Sequence, residues 1–326
     1  MPTIFRLSSR IDQRFRVMAA LLLVYIVWGT TYFAIDIALR DMPPLWLNAS
    51  RFVTAGLLMM AWALWRGERW PTVRECLHAA LAGTLMVFLA MNLIVLAQRA
   101  GIGSGLMATV VTTMPMWLAL WTRLGGERVP VTSWVGLVLG CAGASVLALE
   151  GDFSTTLLGA VMAFGAPLAW SLGSFVSRKL PQPSACMAAG VQWLSGGLLC
   201  TAAAWAWESP APMAQAGAIA WVAWGYLLVM GTLVALNAYL WLLQHTAPAL
   251  AGSYSFVNPA VALLVGTVWG GEVLTGWVWA ALPLMFAALA LILYGRSLWS
   301  KWGSLRPGAP DGDRLTEAVA PSTRKL

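Results

Sequence analysis

Charge is what this sequence has least of. Twenty Lys and Arg and 13 Asp and Glu make up 10% of 326 residues, where a soluble domain carries about 25%. So little charge cannot cover a water-facing surface, which excludes an ordinary soluble fold and turns the reading to lipid. Histidine is almost missing, with only His78 and His245, and no Ser-His-Asp set, metal cluster, phosphate loop or dinucleotide fingerprint occurs. The chain therefore reads as neither an enzyme nor a holder of metal or cofactor. Cys76, Cys141, Cys186 and Cys200 never stand in C-x-x-C spacing, which argues against a disulfide framework or a zinc site. The formal charge of +7 is spread singly or in small groups between apolar runs. Without a basic stripe or interleaved aromatics, nucleic-acid binding is excluded as well.

What is abundant is apolar length. Apolar residues make up 60% of the chain and mean hydropathy is +0.74. Ten apolar runs occupy 18–39, 45–65, 77–97, 102–121, 132–149, 156–177, 185–207, 218–242, 249–269 and 275–295. Each holds about 18–25 residues, enough to cross roughly 30 Å of hydrocarbon as a helix. Interspersed Gly, Pro, Ser and Thr do not give the short alternating strands of a barrel. The expectation is an all-α polytopic membrane protein with ten transmembrane helices, consecutive ones antiparallel. The basic opening "MPTIFRLSSRIDQRFR" resembles a signal sequence, but only "DIALRDMPP" follows the first run, so a retained first span is expected. With the N-terminus inside, 17 Lys and Arg fall on the cytoplasmic side and two, Arg40 and Arg99, on the other. Arg51 lies within the second span. This split places both termini in the cytoplasm.

A second pattern divides the chain. "LGGERVPVTSW" at 124–134 is echoed by "WGGEVLTGW" at 269–277. Gln98 answers Gln244, Pro115 answers Pro259 and Glu127 answers Glu272, at offsets of 146, 144 and 145. Five spans per half is an odd number, so the second half is expected upside down, as in inverted-repeat transporters. The expected organisation is a basic cytoplasmic segment at 1–17, one five-helix repeat at 18–149, a second at 156–296, and a disordered cytoplasmic tail at 301–326. Two such halves suit a central site that opens to one side and then the other.

"VWGTTYFAIDIAL" at 27–39, "PPLWLNASRF" at 43–52 and the two copies of Pro followed by Gly-Gly-Glu resemble the EamA family of the drug/metabolite transporter superfamily. The resemblance spans roughly residues 18–296. It implies a ten-helix, two-repeat carrier in the bacterial inner membrane that exports amino acids, other metabolites or drugs. A secondary transporter of small metabolites is the leading expectation. Broad efflux of hydrophobic or cationic drugs, and a channel or receptor without carrier activity, are the alternatives. Expected partners are a small-molecule substrate, the lipid bilayer and a possible second copy of the chain.

Several polar and aromatic residues inside the runs are candidates for the substrate cavity. Trp28 and Tyr32 are four apart on one helical face. Asn92 and Asn237, offset by 145, require partners in hydrocarbon or a wet cavity. Tyr239, two positions from Asn237, is expected on another face. "SYSFVNP" at 253–259 is the densest polar cluster in any run and the preferred binding site, with Tyr254, Ser255 and Asn258; across the repeat stand Thr113 and Met114. Trp170 is a further candidate. Each has an ordinary reading as helix packing. Pro115 and Pro259 are expected to kink their spans, and Asp36 and Arg51 to pair near the outer side, as structure or as a gate. Glu127 and Glu272 are expected to clamp loops, Glu127 with Arg123 or Arg128. Gly136 and Gly140 mark a close-packing face, within the chain or between copies.

Overall fold

The computed structural model describes residues 2–102, 104–148 and 157–269, with 276–277, 279–281, 283–288 and 290–292 beyond them. Glu272 and the tail at 301–326 lie outside the described residues. The described elements are helices: α1 Pro2–Leu39, α2 Pro44–Trp65, α3 Val73–Arg99, α4 Ser104–Val111, α5 Met114–Leu124, α6 Val131–Ala148, α7 Leu157–Lys179, α8 Ala185–Trp207, α9 Ala218–His245 and α10 Tyr254–Trp269.

Ten spans in two inverted five-helix repeats, with both termini on the cytoplasmic side, is not the arrangement found. Among the described residues six helices are long and apolar enough to cross a membrane: α1 from Gln13, α2, α3, α7, α8 and α9. They are the first three expected spans of each half. The reason is that an apolar run need not be one rod. The run at 102–121 breaks at Thr112–Thr113, where Thr113 N–H donates to Val110 O at 3.1 Å and Met116 N–H to Thr113 O at 3.1 Å. Pro115 has no N–H to continue α4, so it stands in the first turn of α5 instead of kinking a continuous span. The 8-residue α4 and 11-residue α5 rise only about 12 and 16 Å. The run at 249–269 breaks likewise at Gly252–Ser253, leaving α10 with 16 residues, a rise of about 24 Å. α6 has 18 residues, of which Val131–Gly143 is counted as a shorter apolar helix, and the tenth run is described only in part.

The two breaks face each other. A Cβ added to Gly252 would lie 3.2 Å from Pro115 Cβ and Cγ, and Pro115, Ser253 and Tyr254 are buried. Irregular backbone at membrane depth is tolerated when protein covers it. Two longer helices carry π-helical stretches, Thr84–Ala90 within α3 and Leu227–Leu236 within α9. Shifting the first by the repeat offset of 145 places it at 229–235, inside the second. Gln98 Nε2 donates to Tyr32 O at 3.5 Å and Gln244 Nε2 to Ser177 O at 3.2 Å; Ser177 is itself 145 residues beyond Tyr32.

Small residues set how closely the helices approach. A Cβ on Gly56 of α2 would lie 2.5 Å from Leu194 N, and one on Gly197 of α8 would lie 2.6 Å from Val53 N. Gly83 of α3 abuts Gln192 O in the same way. This is backbone-to-backbone packing of the small-residue kind. Gly136 and Gly140 of α6 meet Ile292 and Phe256 of the same chain, so that face is filled internally.

Loop carboxylates tie the ends together. Glu208 accepts from Leu45 N at 2.9 Å and Trp46 N at 3.1 Å, which places a negative charge on the N-terminus of α2. Glu127 pairs with Lys179 at 2.8 Å and Arg178 at 3.5 Å, in the last turn of α7, not with Arg123 or Arg128. The Lys179 hydrogen bond holds the Glu127 carboxyl below its ordinary range; partial burial opposes this, and Arg178 adds to the lowering.

Two outcomes follow from this packing. Gly56→Leu is expected to destabilise by about 2 kcal/mol or more, read as a lower midpoint of thermal unfolding in detergent. A carboxylate whose folded pKa is depressed stabilises above its unfolded value of about 4.3 and loses that contribution as pH falls through the folded value. Wild-type unfolding midpoints should therefore fall on acidification below about pH 4.3, and the corresponding slope in Glu127→Gln should be shallower. With the side chain 34% exposed, solvent screening limits the difference to about 0.5 kcal/mol.

Candidate functional site

One face of α1 supplies the first wall of a central cavity. Trp28, Thr31, Tyr32 and Ile35 recur at helical spacing, and all four line it. Arg51 and Phe52 enter from α2, Met91 and Ile94 from α3, and Val111 and Met114 from the two sides of the first break. Ala166, Pro167 and Trp170 come from α7; Gly231, Thr232 and Leu236 from the π stretch of α9; Tyr254 and Asn258 from α10. The cavity leaves about 70 Å³ open to a water-sized molecule.

Four rings cluster on its aromatic side, Trp28, Trp170 and Tyr254 lining it and Tyr239 packed behind them. Trp28 stands edge-on to Tyr254 at 4.7 Å between centroids and to Trp170 at 5.5 Å, and lies 5.1 Å from Tyr239. Tyr239 is 5.5 Å from Tyr254 and 5.9 Å from Trp170. Such edge-to-face contacts add to area burial and fix ring orientation. Polar tips are mostly anchored behind the rings. Trp28 Nε1 donates to Gly231 O at 3.0 Å, and the Tyr239 hydroxyl bonds Ser174 Oγ at 2.7 Å. Tyr25 hydroxyl meets Ser253 Oγ at 2.7 Å, pinning the second break to α1. Asn258 Nδ2 donates to Tyr254 O at 3.0 Å and Tyr25 O at 3.2 Å. Trp170 Nε1 is buried beside the Tyr239 and Tyr254 hydroxyls.

Of the residues expected in the cavity, Trp28, Tyr32, Met114, Trp170, Tyr254 and Asn258 line it. Thr113 bonds Val110 O at 2.9 Å and Ser255 bonds Gly252 O at 3.0 Å; both serve the breaks. Asn92 is a satisfied core amide, accepting from Asn48 Nδ2 at 2.8 Å and donating to Cys200 Sγ at 3.2 Å. Asn237 bonds Leu233 O at 2.7 Å and faces a separate recess with Gln244 and His245. Pro259 lies inside α10 and is buried.

The expected Asp36–Arg51 pair does not form. Asp36 reaches Arg40 on its own helix at 3.3 Å, and both are exposed. Arg51 turns inward on α2 and is 3% exposed. Sequence reasoning did not single out Phe52. Tyr239 bonds Ser174 and Asn237 faces the separate recess, so the two point in different directions.

Comparison with known proteins agrees with this architecture. The EamA-like transporter family matches the chain twice, over residues 15–149 and 157–294. The uncharacterized inner membrane transporter YedA of Escherichia coli (strain K12) is 35% identical over 290 residues, covering 89% of this chain and 94% of that protein. The uncharacterized transporter YvbV of Bacillus subtilis (strain 168) is 26% identical, covering 84% and 90%. A crystal structure of a protein at 21% identity superposes with a TM-score of 0.67 over 85% of this chain and 96% of that one, which shows a shared fold. The chain thus belongs to the EamA-like transporter family and is a multi-pass transporter of the bacterial inner membrane, not an enzyme.

Proposed function

We propose that the chain is a secondary transporter that exports small metabolites such as amino acids or their analogues, binding them in the cavity around Trp28 and moving them by alternating access. The observation that carries this reading is the position of the cavity. Its walls come from both matched halves of the chain, and they include residues that flank both helix breaks, Val111, Met114 and Tyr254, and residues in the π stretch of α9. Broken and π-widened helices are places where a helix bends with little loss of packing. A change of tilt at the Thr112–Thr113 and Gly252–Ser253 breaks would open one side of the cavity as it closes the other. No nucleotide-binding motif occurs in the sequence, so the driving force is assigned to a gradient or to the substrate's own concentration.

Broad efflux of hydrophobic cations is the second reading. It is favoured by the four-ring box, since aromatic faces attract cations.

Cells overproducing the chain should tolerate higher levels of at least one member of a panel of amino-acid analogues than cells with an empty vector, and release the radiolabelled compound faster. Trp28→Ala, inserted in the membrane at wild-type level, should lose about tenfold or more of that efflux rate, given the contact area an indole supplies. Full efflux in Trp28→Ala would remove the central cavity as the substrate site.

A further inference from the structure

We propose that the transported molecule bears a carboxylate and that the Arg51 guanidinium binds it, with the aromatic box receiving the remainder; this rests on the central cavity being the substrate site. Arg51 is the only charged side chain among the residues lining the cavity and is 3% exposed. Its guanidinium lies over the Phe52 ring, 4.2 Å from the centroid. Among the described residues no ion pair or hydrogen bond reaches it, and its buried Nε has no partner.

The acidic side chains whose surroundings are described are all engaged elsewhere. Asp36 is with Arg40 and Glu75 with Arg69; Glu127 is with Lys179 and Glu68 with Ser184. Asp41 accepts from Gly217 N and Glu208 from the start of α2. A guanidinium does not shed its proton to escape the cost of burial. An unpaired charge at membrane depth is costly and marks a pathway or a site. The missing partner is then supplied by the ligand.

The geometry of the partner follows from the fork. Arg presents parallel N–H donors that match a carboxylate in a bidentate pair. A phosphate monoester matches the fork too, but carries about −1.5 to −2 charges, and the lining offers a single cation. A cation without an acid group would meet Arg51 in the same cavity and be repelled. The ligand class that remains is a monoanionic or zwitterionic carboxylic acid with an apolar or ammonium-bearing body against the rings.

The test uses the full chain purified in detergent, titrated with matched pairs by calorimetry and thermal shift: L-leucine and L-leucinamide, L-methionine and L-methioninamide, phenylacetate and phenylacetamide, with phenyl phosphate alongside. At least one acid should bind about ten- to a hundredfold more tightly than its amide, the range of a hydrogen-bonded charge. Arg51→Met should erase that preference, and Arg51→Lys should keep part of it. Without ligand, Arg51→Met should unfold at or above the wild-type temperature, because it removes an unpaired buried charge. Equal binding of acids and amides, an acid preference that survives Arg51→Met, or stronger binding of phenyl phosphate would each overturn the proposal. So would a large drop in the stability of ligand-free Arg51→Met, which would place the partner of Arg51 within the protein. A compound whose binding is lost in Trp28→Ala but indifferent to Arg51 leaves the cavity as the site and removes the carboxylate. A compound that binds both variants as it binds the wild type removes the cavity itself.

Discussion

Inside a bilayer a backbone N–H or C=O has no water to bond, and the rest of this structure is organised around that constraint. It explains why the described elements are helices. It also explains where they are allowed to stop. The breaks at Thr112–Thr113 and Gly252–Ser253 are buried within the protein, not facing lipid, and close their backbone groups through three-residue turns. The Thr113, Ser253 and Ser255 hydroxyls bond carbonyls of the preceding turns. Each break is thus both covered and internally satisfied.

The same constraint governs how the helices meet. Because lipid tails are as apolar as Leu, helices do not associate to escape the solvent; they associate by fitting. Gly56, Gly83, Gly196 and Gly197 let α2, α3 and α8 bring backbone against backbone or side chain with no intervening bulk. That close-packed block stands beside the cavity, and it includes the π stretch of α3, against which Gly196 packs at Val87.

Within the cavity, most polar groups are already bonded, so those left over are informative. The tips of Trp28, Tyr239 and Asn258 are tied to backbone or neighbouring hydroxyls. The Arg51 Nε is not. In a lining that is otherwise apolar and aromatic, Arg51 is the only charged side chain among the described lining residues.

Membrane residence, helical class, the near half-chain echo and the family were legible in the residues, because composition, hydropathy and repeated landmarks do not depend on how the helices pack. The Trp28–Tyr32 face and the cluster before Pro259 were legible for the same reason: helical spacing is local. The number of spanning rods was not, since hydropathy counts apolar residues without seeing whether Thr112–Thr113 or Gly252–Ser253 interrupts the hydrogen-bond ladder. Nor were the partners of the polar residues. Asn48 meets Asn92, Tyr239 turns into the box, Asp36 bonds Arg40, and Arg51 is left alone, because which side chain finds which depends on the rotation of one helix against another. The sequence by itself determined that this chain lives in a membrane and which helical faces carry its aromatic residues; only the tertiary packing decided which helices cross, which rings close the cavity and which charge faces it.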